Sequence, residues 1–353
     1  MSVHALHDRV LAFLRAPGED AFDDLALEVF RHQYEHVEPY RTYCRRRGVE
    51  PDEVSNWREI PPVPVLAFRE VEFRCGPAER VFRSSGTTRG PDRRSVHALP
   101  DLRLYRTSAV EGMRRFLFPD VERIRILSLV HSVEELPESS LAQMVAWALE
   151  VFGTPESRTV VQGRNLDLDA AAEVFRLSER DGQPLALLAT TAALVRLLDA
   201  LAERRWSFRL PHGSRVMDTG GSKGLGRPRS RKGLHRAVWN ALAVPGYFFV
   251  NEYGMCELSS QAYENVIAAR EAGRLVHRTL VTPPWMRTRV LDPRTLRDVP
   301  PGERGLLCHY DLANAGTVSA VLTEDVGRTR DEGFELLGRA SDAEVRGCSL
   351  VWA

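Results

Sequence analysis

Lysine is almost missing from this chain. Lysine and arginine together number 48, yet only Lys223 and Lys232 are lysines, and both fall in one glycine-rich region. Either two residues cluster there by coincidence, or a compact, flexible ammonium is kept where the planar fork of arginine would not serve. Cysteine is sparse and odd in number: Cys44, Cys75, Cys256, Cys308 and Cys348, with no CxxC pair. That excludes a disulfide framework, argues against a zinc site and predicts a reducing, cytoplasmic setting. Excess charge is lacking as well. The formal net charge is +0, so neither a nucleic-acid partner nor a membrane surface is expected. No apolar run reaches the length of a bilayer span. The opening segment Met1–Asp8 has no basic stretch followed by an apolar one, so no signal peptide is expected.

What is present is ordinary in bulk. Hydrophobic residues make up 43% and charged residues 27%, as in a globular chain, and 353 residues suffice for one large domain or two. Val10, Leu11, Phe13 and Leu14, then Phe22, Leu25, Leu27, Val29, Phe30 and Tyr34, recur mostly at three- and four-residue steps. That spacing predicts helix over residues 4–48, split at Pro17 and Gly18, restarting near Asp20 or Asp23 and stopping at Gly48. The proline-dense stretch Ile60–Phe68 reads as extended. An amphipathic helix is expected over 102–117, a buried strand over 124–130 and a helix over 140–152 capped near Ser139 or Ser140. A short apolar strand at 185–189 leads into Thr190 and Thr191, which open a helix over 192–204. Strands at 215–218 and 247–250 each run into a polar, glycine-containing segment. From about residue 280 the texture changes to short strands and turns. Strands alternating with helices, with polar motifs just past strand ends, give an α/β fold with ligands at the carboxyl ends of its strands.

Four segments carry the chemistry. The first is Ser84, Ser85, Gly86, Thr87 and Thr88, behind a short strand at 79–83. Hydroxyls around a glycine suit either an ordinary turn or a cradle of backbone N–H and hydroxyl donors for a polyanion. It is not a Walker A loop, because no Gly-Lys-Ser/Thr follows at the required spacing. The second segment is Thr219, Gly220, Gly221, Ser222, Lys223 and Gly224. The third is Asn251, Glu252, Tyr253, Gly254, Met255, Cys256 and Glu257. The fourth is Thr323, Glu324 and Asp325, followed by the stretch Gly333–Arg339.

In this order the segments resemble the motifs of the adenylate-forming enzymes, the superfamily of acyl-CoA synthetases and firefly-type luciferases. The resemblance implies the large N-terminal domain of that fold, layered α/β sheets with a small β subdomain. It implies ATP and Mg²⁺ as cofactors. Ser84–Thr88 would cradle the triphosphate, and Gly220, Gly221 and Ser222 would lie beside adenine. Asn251 and Gly254 would line that nucleotide site, Tyr253 would stack on adenine, and Glu257 would hold Mg²⁺. Asp325 would bind the ribose hydroxyls and Arg339 would face ribose or phosphate. Cys256 stands where the superfamily has a threonine that donates to phosphate, and Glu324 where it has glycine. The sequence stops at Ala353, shortly after the Arg346-Gly347 pair that normally opens a lid domain, so the lid and its lysine are expected to be absent.

That departure fits one subgroup, the acyl-protein synthetases, or long-chain-fatty-acid–luciferin-component ligases, which the chain also resembles at Pro61–Pro64, Pro100–Tyr105 and Pro137–Leu141. The expected divisions are a helical cap over 1–58, an α/β adenylation core over 59–280, a small β-rich subdomain over 281–337 and a truncated hinge and tail over 338–353. The resemblance implies activation of a fatty acid as acyl-adenylate and transfer to a thiol, with Cys348 as the acyl acceptor or a partner's cysteine instead. An acyl reductase or another acyl-accepting protein is the implied partner. Lys223 and Arg339 are the candidates to replace the missing lysine. His131, Met144 and Thr190 are the candidates for the acyl site, and each also suits a plain structural role. Two alternatives stay open at this point: a phenylacetate-type ligase using CoA or an amine, and a nucleotide-binding homologue without turnover.

Overall fold

The computed structural model describes residues 3–18, 21–84, 94–220 and 230–340. Two units emerge, each discontinuous in sequence: Met1–Gly112 with Met255–Ala262 and Thr279–Ala353, and Met113–Gly254 with Tyr263–Arg278.

In the first unit, Val3–Arg15 and Ala21–His36 are the expected helices, and a third, Glu38–Arg46, follows instead of a continuous second one. Pro39 sits in the first turn of that third helix, where its missing N–H costs nothing, and Val37 between them is extended. Gly48 then takes φ +67° and ends the helical run. The proline-dense stretch is not extended throughout. Val63–Pro64 forms a short strand, and Val65–Arg69 turns into a 3-10 helix once the prolines end. Tyr40 and Tyr43 donate their hydroxyls to the carbonyls of Pro61 and Pro62, at 2.9 and 2.8 Å, which fixes where the extended part stops.

The sheet of this unit is an antiparallel run of Met286–Leu291, Gly305–Asp311, Ala320–Arg330 and Gly333–Arg339, with Val63–Pro64 parallel to the third strand. Ala320–Arg330 spans 11 residues, longer than the short strands expected after residue 280. Its inner face and the N-terminal helices share one core that includes Val29, Phe30, Tyr40, Trp57, Tyr310 and Val321. Arg80–Arg83 pairs with Val96–Leu99 as a separate antiparallel hairpin.

The second unit is a parallel α/β sheet. Phe249–Tyr253, Arg215–Thr219, Leu185–Thr190, Arg125–Leu129 and Arg158–Thr159 lie side by side in that order. The three central strands are buried along almost their whole length, as expected for strands covered on both faces. Helices Ser140–Phe152 and Thr191–Glu203 start where the sequence placed them. Ser139 and Thr190 cap them by accepting from the N–H groups of Ala142 and Ala193. One expected strand shifts: Gly246–Phe248 is a 3-10 turn and the strand is Phe249–Tyr253. Pairing of Asn251 with Asp218 and of Glu252 with Thr219 holds the polar motif on the strand, not beyond it. Among the described residues no helix is long and apolar enough to cross a membrane.

Candidate functional site

In the second unit the carboxyl ends of three parallel strands bring Thr190, Thr219 and Glu252 into register. Asp218, with no exposed surface, organises this end. It accepts from Arg231 Nη1 at 2.8 and 2.9 Å, from Asn251 Nδ2 at 3.1 Å and from Thr191 Oγ1 at 2.8 Å. Arg231 is positioned by the start of its helix, Arg231–Leu242, where the Ser230 hydroxyl accepts the Gly233 N–H. A buried carboxylate is tolerable only when paired and fully hydrogen-bonded, and Asp218 meets both conditions. Gly220 follows at φ +82°, a backbone conformation that disfavours a side chain at the turn out of the strand. Tyr253 is buried at the end of its strand.

Glu252 lies beside this network and pairs with no cation among the described residues. Burial, against a hydrogen bond from Thr219 and together with the nearby charge of Asp218, pushes its carboxyl up from 4.5 to about 7. The folded form therefore holds its proton more tightly than the unfolded chain does. The stability this contributes is complete below about pH 4.5 and is lost as pH rises through about 7. Urea unfolding at pH 5.5 and pH 8 is expected to show wild type less stable at the higher pH. In Glu252→Gln that difference shrinks. An unchanged pH difference in the variant would refute the assignment.

In the first unit Ser84 and Ser95 close the base of the hydroxyl-rich loop. Ser84 N–H donates to the Ser95 carbonyl at 3.0 Å, and Ser95 N–H donates back to Ser84 Oγ at 2.9 Å. Arg94 Nε donates to the Ser84 carbonyl at 2.5 Å. The Ser95 hydroxyl also hydrogen-bonds the carboxylate of Glu257, which is only 5% exposed. Burial raises the Glu257 pKa, opposed by Ser95 and by the positive charges of Arg69 and Arg339. Arg339 pairs with Asp325 at 3.3 Å, the two residues standing opposite each other on neighbouring strands.

The chain at Glu257 is clamped from below. Asn314 Nδ2 donates to the Glu257 carbonyl at 2.9 Å, and Asp311 accepts from the Ser259 N–H at 3.0 Å and the Ser260 hydroxyl at 2.6 Å. Burial pushes the Asp311 carboxyl up to about 6, while these hydrogen bonds pull it back. Burial pushes the Cys256 thiol well up, so it stays protonated. Its carbonyl accepts from His97 Nδ1 at 2.8 Å, and burial brings that imidazole down to about 4.

The sequence-predicted residues thus fall into groups. Glu257, Cys256, Ser84, Asp325 and Arg339 lie in the first unit, and Gly220, Asn251, Tyr253 and Gly254 in the second. Ser85, Gly86, Thr87, Thr88, Gly221, Ser222, Lys223 and Cys348 lie outside the described residues. Each of the three acyl-site candidates has a definite place in the fold. His131 Nε2 donates to the Gly163 carbonyl at 2.6 Å, Met144 is buried in its helix, and Thr190 caps the next. Sequence reasoning missed Ser95, Asp218, Asp311 and Asn314. Asp218 had a signal, an acid directly after the apolar pair Val216 and Met217 in a strand. The others had none.

For metal and nucleotide the donor set fits. Glu257 offers a hard carboxylate oxygen of the kind Mg²⁺ takes. Beside it, Arg69 Nε is buried with no hydrogen-bond partner among the described residues, a donor matched to a phosphate oxygen.

This chain is similar to known ligases. The long-chain-fatty-acid–luciferin-component ligase of Aliivibrio fischeri is 22% identical over 369 residues, covering 97% of this chain and 92% of that protein. The corresponding ligase of Vibrio harveyi is 22% identical over 333 residues, covering 91% and 84%. Among solved structures, an open conformation of 2-hydroxyisobutyryl-CoA ligase with 2-HIB-AMP and CoA superposes at a TM-score of 0.65 and 15% identity, over 90% of this chain and 73% of that one. ATP-bound MatB from Rhodopseudomonas palustris reaches a TM-score of 0.50 at 16% identity, over 73% and 47%. These structures share the fold of the adenylate-forming enzymes. The sequence model of the acyl-protein synthetase (LuxE) family matches residues 5–353, and the chain belongs to that family.

Proposed function

We propose that Glu257, Ser95, Arg69 and Arg339 form the phosphate and metal end of the nucleotide site in this ligase, with Ser84–Thr88 as the cradle and Asp325 as the ribose acceptor. The chain is an ATP-using ligase that activates a fatty acid as acyl-adenylate. The observation that carries the residue assignment is Ser95. One residue pairs with the base of the hydroxyl loop through its backbone and with Glu257 through its side chain. In the second unit, Thr219–Gly224 and the end of the Asn251–Gly254 segment take the adenine, with Tyr253 as the stacking ring and Asp218 holding Asn251 in place.

The carboxylate of the acid attacks the α-phosphorus, and pyrophosphate leaves. A thiol then attacks the acyl carbon, AMP leaves with the bonding electron pair, and the thiol proton passes to solvent. Mg²⁺ held by Glu257 would neutralise charge on the phosphates. Arg339 and Arg69 add fixed positive charge where negative charge gathers in the transition state, with Lys223 as a further cation there. Cys348 takes the acyl group, since a cysteine two residues after Arg346 suits a nucleophilic carrier. An acyl reductase is the partner that would receive it. Cysteine usage supports a cytoplasmic setting for the enzyme.

ATP–pyrophosphate exchange across a panel of fatty and aromatic acids tests the acid class. Exchange confined to aromatic acids would sink the fatty-acid assignment. Cys348→Ser is expected to leave exchange within about twofold of wild type and to abolish labelling by a radioactive fatty acid, a loss specific to the nucleophile. Labelling that persists in Cys348→Ser removes that residue as the carrier.

A further inference from the structure

His7, on the helix Val3–Arg15, His32, on Ala21–His36, and Cys75, in the segment after the 3-10 turn Val65–Arg69, converge in the first unit. One donor atom from each lies within 4.8 Å of the other two. His7 is 1% exposed and His32 6%, and the Nε2 atom of each is buried without a hydrogen-bond partner among the described residues. Orphaned imidazole nitrogens are costly, because each loses its water and gains nothing in return. Two such atoms beside a thiol need an occupant.

The surroundings say what it is. His7 Nδ1 stands 3.2 Å from Asp101 Oδ2. Asp101 is paired with Arg103 at 2.7 and 3.0 Å, so it is an acceptor and His7 must donate from Nδ1. That leaves the lone pair on Nε2, on the side of His32 and Cys75. A carboxylate fixing the far nitrogen of an imidazole is the outer-shell arrangement that orients metal-ligating histidines. Cys75 is held by its own N–H, which donates to the Gly316 carbonyl at 3.0 Å. Gly316 leaves room for His7, since a Cβ there would stand 3.4 Å from His7 Cε1 and 3.1 Å from Pro100 Cδ.

We propose that His7, His32 and Cys75 bind one zinc ion, which ties the two N-terminal helices to the segment leading into the Arg80–Arg83 strand. Two imidazoles and a thiolate are a borderline-soft donor set suited to zinc and poorly suited to magnesium or calcium. With Zn–N about 2.0–2.1 Å and Zn–S about 2.3 Å, tetrahedral donors sit roughly 3.3–3.6 Å apart. The cluster therefore closes by up to about 1.5 Å on binding, within reach of small side-chain rotations. Binding converts the Cys75 thiol to thiolate and releases its proton to solvent. Water takes the fourth position, entering past Cys75, the least buried of the three. None of the three ligands is among the residues assigned to ATP, and the ion's role is to hold the fold.

The test uses the full chain, washed with chelator and titrated with zinc chloride. One equivalent is expected to bind, with the melting temperature rising as free zinc rises and falling back on chelation. Cobalt(II) in place of zinc should give a thiolate charge-transfer band that is absent in Cys75→Ala. Asp101→Asn keeps all three ligands and is expected to lose about 10–100-fold in zinc affinity. Wild type that binds no zinc at micromolar free metal overturns the proposal, as does Cys75→Ala that binds one equivalent as tightly as wild type. Because the wild-type titration needs no variant to fold, a misfolded Cys75→Ala leaves the proposal open to refutation.

Discussion

Replacing Glu257 by glutamine is expected to lower ATP–pyrophosphate exchange on the order of 10²–10³-fold while raising thermal stability on the alkaline side of the carboxyl's titration. Both effects have one cause. Burial raises the pKa of Glu257, against the hydrogen bond from Ser95 and the charges of Arg69 and Arg339. With a folded pKa above the unfolded one, the residue's contribution to stability is present at low pH and lost as pH rises through the folded value. Above the folded pKa the ionised carboxylate is therefore a burden on the fold that glutamine removes. Glutamine keeps the shape and can still accept from Ser95, so the Ser84–Ser95 base of the loop has no reason to move. What it loses is the negative charge that a cation needs. Two readouts separate function from folding: exchange rate, and melting temperature across pH 5 to pH 8. Exchange within threefold of wild type would remove Glu257 from the site. Lost exchange with a lower melting temperature would mean that the residue is structural.

Asp120→Ala should be the most destabilising single change in the parallel-sheet unit, at about 3–5 kcal/mol. The side chain of Arg215 is 0% exposed at the start of its strand, and Asp120 meets it with two bonds at 2.5 and 2.8 Å. The carbonyls of Leu117 and Gly213 accept its remaining donors, and Phe248 covers its guanidinium at 5.4 Å. Removing the acid strands a full charge in the interior, which costs far more than the pair contributes when intact. The exposed pair of Arg9 and Glu28 is the contrast. Its arginine is 50% exposed, and Glu28→Ala is expected to cost no more than about 1 kcal/mol. Urea midpoints with an unchanged slope would measure both. If Asp120→Ala loses no more than Glu28→Ala, water reaches Arg215 and the burial argument fails. Replacing both partners of the Arg215 pair by apolar residues of similar volume should recover most of the loss.

Much of the architecture was legible in the residues because it rests on neighbours in sequence. The helix starts at Ser139 and Thr190 are side-chain caps on the very next turn, and the 3.6-residue period carried Leu102–Phe116 without help from elsewhere. The helices Leu168–Asp181 and Arg231–Leu242 were among those that went unread, although Asp167 and Ser230 cap them in the same way. Their apolar positions are diluted by arginine and acid, so tertiary burial of one face, not the period alone, makes them helical. The strand at Phe249–Tyr253 was read two residues early because its apolar run begins before its pairing does.

The amino-acid sequence by itself determined the alternation of strands and helices and the order of the four polar motifs, from which family membership follows. Capping, periodicity and motif spacing act within a few residues, so they survive in one dimension. Tertiary structure alone decided that Ser95 joins the base of the hydroxyl loop to Glu257, that Asp218 holds Asn251, and that Asp311 and Asn314 clamp the chain beneath Glu257. It also gathered His7, His32 and Cys75, whose spacing in the chain signals nothing. Those contacts depend on strand register and long-range closure, and no local preference of any one residue encodes them.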